Sequence, residues 1–168
     1  MKNLNKIIAA FTVMLLVGSA NIFAQETAEV AVTAQVEAAL VLTPTDVALG
    51  TIQQEASVID ANANDDATET NLGDGASAGS LQITGSTGVD VVVSWTNGIL
   101  DNAGETDPIT FTPSVWLGAS EVTSGGTVTL AGGDITLNVG GALEAPSGTG
   151  AYSTANGANP ITFTVSYE

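Results

Sequence analysis

What most constrains this chain is a two-residue alternation of apolar and polar side chains that recurs along it and is cleanest at its end. Ile161, Phe163, Val165 and Tyr167 alternate with Thr162, Thr164 and Ser166. Successive side chains of an extended strand point to opposite faces, so one face of residues 161–167 belongs to a core and the hydroxyl-bearing face can meet water. Only Glu168 follows, so no later hairpin is expected to cover this strand. Its edge must then be paired by an earlier segment or by another molecule, which makes Ile161, Phe163, Val165 and Tyr167 a candidate acceptor strand.

At the other end, Lys2 and Lys6 precede an apolar run over residues 7–17 and then Gly18, Ser19 and Ala20. A basic start, a short apolar stretch and small residues are the pattern of a secretory signal peptide, with cleavage expected after Ala24. A membrane-spanning helix needs about 20 apolar residues, and no later run approaches that, so the exported chain is expected not to be embedded in a membrane. Residues 25–168 suit one domain preceded by an arm.

Both cationic side chains of the protein lie in that leader; the rest of the chain carries 18 carboxylates and no His. Nucleic acid binding relies on Lys and Arg to displace phosphate counterions, so nucleic acid is excluded as a partner, and anionic membrane surfaces with it. Without Cys, His, Lys or Arg there is no histidine triad, thiolate, Schiff base or ordinary zinc site. The acids fall mostly in Gly- and Asn-rich turns, where no carboxylate pair is set for hydrolysis, and an enzyme is not expected. No disulfide can staple the fold.

Taken in order, residues 30–42 place apolar side chains at every even position. A helix would set Glu37 on the face of Val30, so period two prevails and this is extended chain. At about 3.3 Å per residue it is too long for one strand of a small domain, so it divides. An N-terminal arm over residues 25–37 carries Val30, Val32, Ala34 and Val36, and a first strand spans residues 38–43 of a domain covering 38–168. Pro44 and Asp46 mark a turn, residues 47–52 and 57–59 short strands, and residues 60–79 a long surface loop. Further strands are expected at 81–84 and at 89–95, the latter central because it is apolar on nearly both faces. Asn97 and Gly98 make a turn, and residues 109–117 a strand whose Pro113 demands an edge or a bulge. Residues 128–130 and 135–139 read as hairpin arms around Gly132 and Gly133, and Gly140 and Gly141 open the connection toward Tyr152. Many short strands and no helical segment predict an all-β, immunoglobulin-like antiparallel β-sandwich.

Several stretches carry a resemblance: Leu49-Gly50-Thr51-Ile52, Ala78-Gly79-Ser80-Leu81-Gln82-Ile83-Thr84-Gly85, Val139-Gly140-Gly141-Ala142-Leu143, Gly150-Ala151-Tyr152-Ser153 and the terminal strand. In that order they resemble the secreted bacterial proteins grouped as domain of unknown function 4402, themselves similar to pilin-like and spore-coat-U-like subunits. The ending, with its alternating apolar residues and penultimate Tyr167, looks like the terminus of a chaperone-usher pilin. The resemblance implies a β-sandwich exported through the periplasm to the bacterial surface, building fimbria-like structures with identical or related subunits and with a periplasmic chaperone. It carries no catalytic residues. The chain departs from the pilin pattern in lacking Cys and in having Ala155 and Gly157 where a single Gly precedes the last strand.

Two local features stand apart. Asp60, Asn62, Asn64 and Asp66 put oxygen ligands at alternate positions as calcium loops do, although Asp65 and Asn71 replace the turn Gly and the bidentate Glu of that pattern. Calcium is the one cofactor these residues admit. Trp116 faces outward if Phe111, Val115 and Leu117 are buried, where it can lie under a neighbouring loop, stack on a sugar or anchor an interface. Two functions are therefore expected to compete: a fimbria-like subunit assembling by strand addition, and a monomeric secreted module that binds carbohydrate or depends on calcium.

Overall fold

Runs with one apolar parity become strands in the structure, a computed structural model describing residues 31, 33–62, 69–102, 108–155 and 159–168. The chain divides into two units, Met1–Gln35 and Val36–Glu168. In the first, Ala31, Thr33, Ala34 and Gln35 are exposed and outside any strand. The second contains β1 (Val41–Thr45), β2 (Ser57–Ile59), β3 (Gly79–Thr84), β4 (Asp90–Trp95), β5 (Gly98–Asn102), β6 (Ile109–Leu117), β7 (Ser120–Val122), β8 (Gly126–Thr129), β9 (Asp134–Leu143), β10 (Tyr152–Ser153) and β11 (Phe163–Tyr167). Among the described residues there is no helix, and hence none long and apolar enough to cross a membrane. Residues 1–24, where a signal peptide is expected, lie outside them.

The strands form two antiparallel sheets. The larger runs β1-β3-β9-β6-β5-β10, with β2 pairing β9 and β7 pairing β6; the smaller runs β11-β4-β8. Odd-numbered residues of β3, β6 and β9 meet Val91 and Val93 of β4, Val128 of β8 and Leu130 in a core where Ile83, Val91, Val93, Val115, Leu130 and Leu137 are fully buried. The result is a β-sandwich-like all-β fold, closed by burial of aliphatic side chains at about 1.5–3 kcal/mol each. A second cluster, Ile59, Ile109, Phe111 and Leu143, continues the same face of the large sheet beyond the small one.

Strand β6 coincides with the alternation that predicts it, and β4 is central in its sheet as its two apolar faces require. Elsewhere the fold departs from the sequence reading. Pro44 makes no turn: it sits in β1 opposite Leu81, tolerated because β1 is an edge strand. The first strand accordingly starts at Val41 rather than residue 38. Residues 47–52 make a single bridge, Ala48 to Ser77, because Gly50 turns the chain at φ 69° and Val47, Leu49 and Ile52 pack onto the second cluster. Of the expected surface loop, Ala61 is buried, Thr70 bridges Val58, and Leu72 and Ala76 pack on that cluster. Strand β5 begins at Gly98, which the sequence reading placed in a turn with Asn97, and its residues Gly-Ile-Leu-Asp-Asn show no alternation to announce it.

Residues 128–130 and 135–139 are not hairpin arms. Strand β8 pairs β4 while β9 pairs β3 and β6, so Gly132 and Gly133 carry the chain from one sheet to the other. Leu130 and Leu137 are thereby both buried in one core, which a hairpin within one sheet would not require. Gly140 and Gly141 likewise belong to β9. A Cβ on Gly140 would overlap the Ile59 carbonyl and one on Gly141 the Thr112 carbonyl, so these glycines let β2 and β6 approach β9 closely. Pro113 lies on a strand flanked on both sides, yet β5 pairs β6 only up to Phe111 and β7 only from Val115. At Pro113 the strand is locally an edge, which is what a residue without an N–H needs.

Candidate functional site: an open strand edge beside an apolar groove

Among the described residues, strand β11 pairs only with β4. Thr96 N–H donates to the Thr162 carbonyl and Glu168 N–H to the Asp90 carbonyl, both at 3.2 Å, so the even-numbered residues direct their backbone groups toward β4. Successive strand residues direct theirs to opposite sides. Phe163, Val165 and Tyr167 therefore turn N–H and C=O to the other edge, where no strand lies among the described residues. The same three residues send half-buried side chains onto the main core, and Ile161 packs on the second cluster.

Beside this edge lies a groove of about 1200 Å³. Ile109, Phe111, Val139 and Leu143 of the large sheet form its floor, Val47, Leu49 and Ile52 stand along one wall, and Ile161 and Phe163 along the other. Its origin is geometric. The second cluster of the large sheet is packed by no strand of the small sheet, whose outermost strand among the described residues is β11. At one end of the groove the Tyr152 hydroxyl is buried with no hydrogen-bond partner among the described residues.

The predicted acceptor residues divide. Ile161 and Phe163 line the groove, whereas the Tyr167 hydroxyl donates to the Ala38 carbonyl at 2.6 Å and accepts from the Ser86 N–H at 2.8 Å. Ala38 N–H in turn donates to Ser86 Oγ at 2.6 Å, tying the start of the domain to its last strand. The sequence reading missed this tie, and missed the groove floor because Phe111 and Leu143 alternate as any core residues do. Of the donor positions, Ala34 is exposed, Val36 is 89% exposed, and Val30 and Val32 lie outside the described residues.

At the calcium candidate, Asp60 Oδ1 accepts from the Asn62 N–H at 2.7 Å, an Asx turn; Asn64 and Asp66 lie outside the described residues. No cluster of three or more acids that could hold a metal occurs among the described residues. Trp116 packs on neither core cluster and lies on the outer face of the large sheet, opposite Asn138 and Glu121.

Compared with protein-family models and with curated proteins, the chain matches none, and its groove and open edge are read from their own geometry.

Proposed function

We propose that the protein is an exported structural subunit that polymerises at the bacterial surface by β-strand addition, the arm of one subunit seating in the groove of the next. The observation that carries this reading is that the backbone edge of β11, unpaired among the described residues, runs into an apolar groove at Ile161 and Phe163. An occupant must be extended, apolar on one parity and able to pair along an edge. Val30, Val32, Ala34 and Val36 meet that description, and no lysine or arginine near them would have to be desolvated. Seating three valines and an alanine contributes roughly 5 to 8 kcal/mol before the ordering of the arm is subtracted. A one-residue slip would aim Ala31, Thr33 and Gln35 at the floor and lose most of it. The immunoglobulin-like layering, the signal peptide and the resemblance to pilin-like families fit the same picture, as does a periplasmic chaperone that shields the groove before assembly.

The test is the double substitution Val32→Asp and Val36→Asp, followed by circular dichroism and sedimentation. The expected outcome is a folded β-protein that no longer assembles, because the two charges lie on the arm and not in the domain core. A variant that still forms filaments, or one that cannot fold, refutes donor-strand exchange.

A further inference from the structure

Antiparallel pairing sets Thr45, Ser80, Asn138, Trp116 and Glu121 in one row across the outer face of the large sheet. Thr43, Gln82 and Thr136 form the next row, and Ser114 follows Trp116 on the same face of β6. The face is thus an array of hydroxyls and amides with one indole in it.

Two properties single out this array from an ordinary solvated sheet face. First, the side chains of Ser80, Gln82, Asn138 and Ser114 make no hydrogen bond to any described residue, and neither does the Trp116 indole N–H, which is not occluded either. Their donors and acceptors are unspent, and neighbouring strands hold them at a fixed spacing of about 4.8 Å. Second, Trp116 has polar neighbours on its face. Asn138 and Glu121 flank the indole across the strands, so an aromatic plane is bordered by hydrogen-bonding groups.

We infer that this face binds a neutral glycan, with Trp116 stacking on the apolar C–H face of one sugar ring while Asn138, Gln82 and Ser80 take the hydroxyls of that ring and its neighbours. A sugar ring is apolar on its face and hydroxylated around its rim, and this surface offers the matching arrangement. Charge decides for neutral sugars over acidic ones. No Lys or Arg follows Lys6, and Glu121 and Asp134 lie at the margins of the array, so sulfated, phosphorylated or uronic-acid chains are repelled. Thr45 and Ser80 border the groove as well as the array, but Trp116, Asn138 and Gln82 do not line it and the open edge of β11 belongs to the other sheet, so substitutions at Trp116 and Asn138 separate glycan binding from assembly.

The experiment titrates the exported chain, residues 25–168, with three neutral hexasaccharides (β-1,4-linked glucose, β-1,4-linked N-acetylglucosamine, α-1,4-linked glucose) and with an oligogalacturonate. Calorimetry gives the affinity, and indole emission is followed in a Trp95→Phe background so that only Trp116 reports. The expected result is binding of at least one neutral probe with a blue shift of the indole emission, no binding of the acidic probe, and at least a tenfold loss of affinity in Trp116→Ala at unchanged melting temperature. Should Trp116→Ala fail to fold, Asn138→Ala is expected to weaken the same probe about fivefold or more. Absence of binding by all three neutral probes at millimolar concentration, affinity within twofold of the parent in the variants, or preference for the acidic probe overturns the inference. Filament formation in Trp116→Ala is expected to persist.

Discussion

Removing one oxygen, in Tyr167→Phe, tests whether the last strand is tied to the start of the domain. The hydroxyl holds the Ala38 carbonyl at 2.6 Å and the Ser86 N–H at 2.8 Å, and the phenyl ring below it packs on the main core. The substitution keeps the ring and deletes two hydrogen bonds. Each has a net worth of about 0.5–1.5 kcal/mol, and since Ala38 is exposed, water replaces part of the loss, leaving about 1–2 kcal/mol. For a domain of this size that lowers Tm by roughly 3–8 °C. Hydrogen exchange adds a local readout: the Ser86 amide is expected to lose protection while those of Val91 and Val93 keep theirs. Gly85 sharpens the test, because a Cβ there would come within 2.5 Å of the Tyr167 hydroxyl and 2.9 Å of Leu40. Gly85→Ala should therefore destabilise the parent more than it destabilises Tyr167→Phe, a coupling that a double-mutant cycle measures directly. If Tyr167→Phe melts within 1 °C of the parent, its Ser86 amide is unchanged and the two substitutions are additive, the tie contributes nothing and the reasoning fails.

The other expectations are simpler to check. Assembly should strengthen as salt rises through about 0.1 M, where the screening length falls to about 10 Å, because 18 carboxylates on each chain repel those on the next; light scattering that is greatest at low ionic strength would contradict this. Gly140→Ala should cost several kcal/mol, since the added Cβ meets backbone atoms of Ile59 and Ala61 that cannot turn aside, and a melting temperature equal to the parent's would show that β2 is not held against β9 as described. The arm substitutions should abolish assembly and Trp116→Ala glycan binding, each without the other's effect, which a single set of sedimentation and calorimetry runs compares.

Side-chain alternation is a local property, and whatever depended on it alone could be read from residue order. Strands β3, β4, β6 and β11 lie where period two places them, the parity of β6 turns Trp116 outward, and the stripe of Phe163, Val165 and Tyr167 faces the core. The absence of Cys and of any cation beyond Lys6 is equally a matter of sequence, and it removed whole classes of chemistry before any fold was considered.

Partnership between strands is not local. Gly132 and Gly133 would suit a hairpin or a crossing between sheets, and the choice fell to the crossing because it buries Leu130 and Leu137 in one core. Pro44 reads as a turn until β1 is known to be an edge, and Pro113 could enter β6 because β5 and β7 leave a gap there. The groove belongs to this second kind of fact. Ile109, Phe111 and Leu143 look like any core residues along the chain; they become a groove floor only because, among the described residues, no strand of the small sheet packs on the second cluster. Residue order determined which side chains are apolar and on which face they stand. The tertiary structure decided which of those faces goes uncovered, because coverage depends on the number and extent of strands in the opposite sheet, and no single strand contains that information.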